Sequence, residues 1–456
     1  MKILKWVLGA IWRLLRGAIR RLPIIVFLMG LGFIVATVSG PRTGANVRQG
    51  GLMFLQAFYG KTATGNWFPD RFKNSGVLRY DPARAQPGYT LYTLTPDLSA
   101  HLIDMNGHEV KRWSVPKDKA IPEANSARTL FGLMEPQVEG GHLFPNGDVI
   151  MVYEVKSLTF PATPLVKLDK NSNILWLSKV QSHHAMEVVG DKIYALTADS
   201  NPPPPQPPPP PPPPGSPPPS HPYFPPTAFN GENVTVLDSD GNLLSTHSIG
   251  EAMGNAKDTR LFDELTLGSF SDALHSNSID VLTQQNAHFI PGAKPGDVLL
   301  SLRNQDMLAV MDLENDKIIW ALRGGWRKQH DAKMLSNGHI LLFDNEGGLM
   351  KHSRSRVLEV DPSDGAIVWS YEGTEDDPLD SGDNRGGAQR LPNGNTLINE
   401  SNAGRLLEVT PDGSVVWEFV NHLQTEERGQ RIIASFGLTA TRYEPASVPF
   451  LGSEKP

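Results

Sequence analysis

Four histidines and an arginine stand where this chain could do chemistry. His330 lies in GGWRKQHDAKMLSNGHILLFDN (residues 324–345), preceded by Arg327, Lys328 and Gln329. His183 and His184 stand in SHHAMEV (182–188), and His275 and Asn277 in LHSNSIDVL (274–282). Arg303 follows the apolar strand of VLLSLRNQD (298–306). A neutral imidazole is a usable nucleophile or base at pH 7, and a guanidinium offers a planar fork to a tetrahedral oxyanion. Sulfuryl or phosphoryl transfer needs little else. Its charge spreads over three peripheral oxygens, so positioned cations do most of the work while one group attacks in line and another handles the leaving-group proton. Three imidazoles also admit a metal, but catalytic zinc usually takes a closely spaced histidine pair plus a carboxylate, and this pattern is dispersed. With no cysteine in the chain, thiolate metal sites, disulfides and a cysteine nucleophile are excluded. A lone histidine at the start of a strand is more often structural than catalytic. The case therefore depends on several such starts meeting.

A repeated hairpin supplies the means. Within 324–345 an apolar run reaches the turn pair Asn337 and Gly338 and returns over 340–343, a β-hairpin pattern that puts His330 at the start of a strand. From residue 90 onward an apolar strand, an acidic or glycine turn and a second apolar strand, often ending in tryptophan, recur six times. The turns carry Asp104, Asp169, Asp238, Asp312, Asp361 and Thr410, with Trp113, Trp176, Trp320, Trp369 and Trp417 at strand ends. A second hairpin family interleaves near Gly147, Gly190, Gly338 and Gly394. About four strands per period of roughly 50 to 70 residues is what a propeller blade requires, so the expected fold is all-β, a six-bladed β-propeller. A pair of β-sandwiches does not explain a period shared by six copies. In a propeller the first strand of each blade lines the central channel, so the scattered histidines and Arg303 converge at one end of it. The tryptophans are expected to pack between blades.

The expected organisation is a basic amphipathic cytoplasmic segment over 1–21, a transmembrane helix over 22–41, a spacer over 42–88, the propeller over 89–445 and a tail over 446–456. Residues 22–41 carry no charge, enough helix to cross roughly 30 Å of hydrocarbon. Six basic residues precede that run, which orients the rest of the chain outward, to the periplasm or the cell exterior. A cleaved signal peptide is the competing reading. Residues 201–226 are dominated by proline and read as a solvated polyproline II excursion within one blade. The formal charge of −7 conceals an asymmetry: residues 1–61 hold nine Lys/Arg and no acid, leaving 33 basic against 49 acidic side chains in the remainder, or −16. A region that acidic is a poor candidate for nucleic acid.

Five stretches together resemble the arylsulfotransferases that use aryl sulfate esters as donors: HHAMEV, HSNSIDVL, GDVLLSLRNQD, GGWRKQHDAKMLSNGHILLFDN and GGAQRLPNGNTLINES (386–401). The resemblance covers roughly residues 90–425. It implies a six-bladed propeller that moves sulfate between phenols by a ping-pong route through a sulfohistidine, without a cofactor, its partners being a small aryl sulfate and a phenol. By motif, the nucleophile falls on His330. His275 and Arg303 match residues that hold the sulfuryl oxygens, and one of His183 or His184 matches a third histidine near the phenolic oxygen. Register with the neighbouring hairpin favours His183, and the HHxxEV spacing favours His184. Asn277, Arg327 and Gln329 are candidate substrate contacts. A membrane-anchored propeller that binds a ligand or protein without turnover is the alternative function.

Overall fold

Each of the six repeated turns closes on its own first side chain. Asp104 accepts from the N–H groups of Asn106 and His108, Asp169 from those of Asn171 and Asn173, and Asp238 from those of Asp240 and Asn242. Asp312, Asp361 and Thr410 do the same at their turns. A side-chain oxygen that satisfies the turn N–H groups lets the chain reverse without orphaned donors, which is why these residue types recur there. In a computed structural model the described residues are 66–115, 136–155, 164–198, 231–256, 274–345, 354–382, 384–427 and 429–452. The chain divides into two units, Met1–Gly65 and Asn66–Pro456. The basic segment and apolar run expected over 1–41, and the polyproline stretch 201–226, lie outside the described residues. Among the described residues no helix is long and apolar enough to cross a membrane.

The second unit is all-β. Among the described residues, six antiparallel sheets follow one another, each ordered from an inner to an outer strand. Sheet 1 runs Phe436–Tyr443, Tyr89–Leu94, Ser99–Ile103, Glu109–Ser114, and sheet 2 Pro136–Leu143, Val149–Val155, Leu165–Leu168, Ile174–Leu177. Sheet 3 runs Ser182–Val189, Lys192–Ala198, Glu232–Asp238, Leu243–Ser248, and sheet 4 Ser276–Val281, Val298–Leu302, Met307–Asp312, Lys317–Arg323. Sheet 5 runs His330–Met334, Ile340–Asp344, Arg356–Val360, Ile367–Tyr371. Sheet 6 runs Gly387–Arg390, Thr396–Glu400, Arg405–Val409, Val415–Val420, with Gly76–Tyr80 added as a fifth strand. The inner strands touch in cyclic order, sheet 6 meeting sheet 1. The arrangement is propeller-like. The core is divided among the facing sheets: Tyr194, Val234, Ile279 and Leu300 pack between sheets 3 and 4, and Leu308, Val310, Ile340 and Leu342 between sheets 4 and 5.

Sheet 1 joins the two ends of the folded region, because its inner strand comes from the C-terminal side and pairs with Tyr89–Leu94. Tryptophans bind four of the sheets to the next. The indole N–H of Trp113 donates to Gly147 O at 3.1 Å, Trp176 to Ser239 O at 3.2 Å, Trp369 to Pro411 O at 2.9 Å and Trp417 to Met105 O at 2.9 Å.

Two boundaries differ from expectation. Residues 66–88 are not a spacer: Trp67–Pro69 pairs with Gln430–Ala434 in a separate three-stranded sheet, and Gly76–Tyr80 edges sheet 6. The edge strand GVLRY is exposed over most of its length, so it lacks the alternation that marks a half-buried strand. Residues 446–452 are not a loose tail either. Val448 is buried in the core shared by sheets 1 and 2, and the Phe450 ring lies 6.2 Å from that of Trp113, edge to face.

Candidate active site

The inner strands of sheets 3, 4 and 5 are bulged near their first residues; His184 (φ 53°) and Asp331 (φ 50°) are left-handed within two of the bulges, and His275 (φ 51°) is left-handed just before the third. Such residues carry backbone strain, and a bulge re-aims side chains that a regular strand would send alternately to either face. Here it gathers the histidines. The His184 ring lies between its neighbours, 5.1 Å from His183 and 4.7 Å from His275, both edge to face. The Nδ1 atoms of His183 and His184 are 2.9 Å apart, so one donates and the other accepts. Glu232, on the third strand of sheet 3, accepts from the N–H groups of His275 (3.0 Å) and Ser276 (2.8 Å) and from the Ser276 hydroxyl, which pins the His275 turn across the sheet interface. Arg303 N–H donates to His275 O at 3.2 Å, and its Nη1 donates to Asn304 Oδ1 at 2.8 Å.

His330 is buried at the first position of its strand. Its Nδ1 lies 2.7 Å from Asn345 Oδ1, and its Nε2 accepts from the Arg385 backbone N–H at 3.2 Å. Burial holds its imidazolium well below the ordinary range. The Arg303 guanidinium and then His275 push the same way, while Asn345 and the Lys328 carbonyl act in the opposite sense. His330 is thus a neutral base beside an arginine, the protonation state a nucleophile needs.

The remaining candidates separate. Asn277 donates to Gln329 O at 2.8 Å, and Gln329 Nε2 donates to Ser301 Oγ and Met307 O, each at 3.0 Å. These contacts tie sheet 4 to the residue just before His330, so Gln329 positions the strand with its amide turned into the protein. Asn277 also lines a cavity with His184, Ser278, Asp331 and Lys333. Arg327 is exposed. Among the described residues no set of three His, Asp or Glu side chains is arranged to hold a metal ion.

Residues beyond the sequence candidates complete the site. Arg385 is buried with φ 63°, and its guanidinium bonds Glu139, Gln137 and Ser435, so its backbone N–H is held against His330 from a different sheet. Asn345 ends the DN pair of the 324–345 stretch, and its two-residue distance from an apolar strand was the only local signal for it. Deeper in the channel, Lys333 lies 3.3 Å from Asp280 and 3.9 Å from Glu187. Burial drives Glu187 up to about 7 and Asp331 up to about 6; Lys333 opposes both shifts and Asp280 adds to both.

Residues 244–422 match the arylsulfotransferase (ASST) family model. The resemblance read from the five motifs is borne out over that segment. The arylsulfotransferase match contains His275, Asn277, Arg303, Arg327, Gln329 and His330, together with Asn345 and Arg385, while His183 and His184 precede it. No curated protein matches the chain significantly. Among solved structures it is similar to a streptogramin B lyase, at 12% identity and a TM-score of 0.40, over 79% of this chain and 89% of that one. It is also similar to virginiamycin B lyase from Staphylococcus aureus, at 9% and 0.39, over 82% and 98%, and to the WD40 β-propeller domain of Doa1, at 10% and 0.40, over 82% and 96%.

Proposed function

We propose that the chain is an arylsulfate sulfotransferase on a six-bladed propeller, moving a sulfuryl group from a phenolic sulfate ester to a phenol through a sulfohistidine at His330. One observation carries the reading: a buried histidine, its cation disfavoured by burial and by the charge of Arg303, lies inside the segment that matches the family. In the first half-reaction the His330 lone pair forms an N–S bond as the S–O bond to the aryl oxygen breaks. Arg303 and His275 hold the sulfuryl oxygens, and His184 protonates the departing phenolate. In the second half-reaction an acceptor phenol gives its proton to His184 and attacks sulfur, releasing His330. This order follows from where charge develops, with Arg303 and His275 assigned to the sulfuryl oxygens and the histidine pair to the aryl oxygen. We further place the folded region outside the cytoplasm, tethered by residues 22–41; protease added to cells with a permeabilised outer barrier should cut within 201–226.

Rapid-quench mass spectrometry tests the chemistry. Mixing the protein with a chromogenic aryl sulfate should leave an acid-labile sulfuryl adduct on the peptide that contains His330. Turnover with normal rate in a His330→Ala variant would falsify the assignment.

A further inference from the structure

Asn345 is held so that its amide has one usable orientation. Its Nδ2 donates to Arg385 O at 2.7 Å and to Gly382 O at 3.2 Å. Backbone carbonyls only accept, so the amide nitrogen belongs on that side and Oδ1 must face His330 Nδ1. An amide oxygen also only accepts. His330 Nδ1 therefore carries the proton. On the far side of the ring the Arg385 backbone N–H can only donate, so Nε2 must be the unprotonated nitrogen. Two partners on different segments demand the same tautomer.

We propose, building on the sulfotransferase reading, that Asn345 is a positioning residue that fixes the His330 proton on Nδ1 and presents Nε2 as the atom that bonds sulfur. When the N–S bond forms and the phenolate leaves, the Nδ1 proton stays in place and the ring becomes an N-sulfo-imidazolium. The Asn345 oxygen then faces a donor whose positive charge has grown, and the hydrogen bond strengthens as the reaction proceeds. An aspartate here would favour the cation before substrate arrives. Arg303 and His275, beside sheet 4, oppose that; of the remaining charged groups, the Arg385 guanidinium is paired with Glu139 and the Asp331 carboxylate is bonded to Ala388 N–H at 3.0 Å. A neutral dipole supports the sulfated state without protonating the resting one. Because one lone pair cannot serve two partners, the Arg385 N–H must release Nε2 before attack.

Long-range 1H–15N spectra of the histidine-labelled full chain at neutral pH read the tautomer directly. The expected result is a pyrrole-type Nδ1 and a pyridine-type Nε2 for His330, assigned by its loss in His330→Gln. A protonated Nε2 in the wild type overturns the proposal without recourse to any variant that must fold. Asn345→Asp should raise the His330 titration by about one pH unit or more and move the acid limb of kcat/KM with it. Asn345→Ala should lower kcat by about 10- to 100-fold with little change in KM, the scale for losing an outer partner of a reactive histidine. A folded Asn345→Asp whose His330 titrates as in the wild type also overturns it. The expected tautomer in a protein that forms no sulfuryl adduct would sink the transferase reading and leave the Asn345 clamp standing.

Discussion

Arg385 and Glu139, 246 residues apart in the chain, meet inside the ring as a two-point ion pair, Nε to Oε2 at 3.2 Å and Nη2 to Oε1 at 3.1 Å. Both side chains are almost fully buried. The pair links the segment leading into sheet 6 to the inner strand of sheet 2, and it holds the left-handed Arg385 backbone whose N–H faces His330. Removing Glu139 takes a carboxylate away from a buried guanidinium. Glu139→Ala should therefore lose about 3–5 kcal/mol of unfolding free energy, the range for breaking a buried pair. Urea unfolding measures it, and a loss under about 1 kcal/mol would show that Gln137 and Ser435 suffice.

The indole of Trp417 closes the ring in the same sense that Arg385 crosses it. It is fully buried and donates to Met105 O, on a turn of sheet 1 that is 312 residues distant in sequence. Trp417→Phe keeps most of the packing and removes the hydrogen bond, so the expected loss is about 1 kcal/mol plus a small cavity term. Trp417→Ala should lose about 3–5 kcal/mol. Trp369 makes the equivalent bond from a half-exposed position, and its alanine variant should lose clearly less. Equal losses at the two sites, read from denaturation midpoints, would contradict the view that burial of the closure sets its strength.

The six turns and their tryptophans were legible because they obey local rules: an aspartate or threonine that caps its own turn, then an apolar strand of period two. His330, His275 and Arg303 were legible because each stands at a strand end in a polar stretch. What local pattern could not supply was long-range: Arg385 looks like one more charge in DNRGGAQR, and only the channel brings it to His330 and Glu139. Asn277 and Gln329 show a related difficulty. Their amides fill an interface between sheets, and a polar side chain facing a neighbouring sheet reads in sequence like one facing a ligand. The strand Gly76–Tyr80 escaped because an exposed edge has no alternation to read.

The carboxylates around Lys333 give the folded state a pH dependence of known sign. Burial raises Glu187 to about 7 and Asp331 to about 6, against ordinary values near 4. A carboxylate raised by folding binds its proton more tightly in the folded state. The stability it contributes is present below the unfolded value and is lost as pH climbs through the folded one, here between about pH 4 and 7. Glu187→Gln keeps an acceptor for the Val281 N–H, which Glu187 Oε2 holds at 2.6 Å, and removes the titration. Its unfolding free energy relative to the wild type should improve steadily from pH 4 to 8. Asp331→Asn should show the same trend ending nearer pH 7. A difference that is flat across this window would mean that neither carboxylate is shifted by folding.

In the proposed reaction the histidine pair handles the aryl oxygen. His184 touches both His183 and His275 and lines the channel cavity, whereas His183 is buried behind it and reaches the site through the Nδ1 contact at 2.9 Å. In the proposed reaction the proton-transfer role therefore falls on His184, and His183 holds its tautomer. General acid catalysis matters most for a basic leaving group, so His184→Ala should lower turnover of phenyl sulfate by about 10²- to 10⁴-fold and that of 4-nitrophenyl sulfate far less. His183→Ala should slow both donors to a similar, smaller extent. Arg303→Ala removes a preorganised cation from the sulfuryl oxygens and should cost about 10²- to 10³-fold whatever the leaving group. The dependence of log kcat/KM on leaving-group pKa separates the three cases: steepened by His184→Ala, shifted in parallel by Arg303→Ala. If His183→Ala steepens it instead, the two histidines exchange roles, and the HHAMEV strand is read one residue out of register.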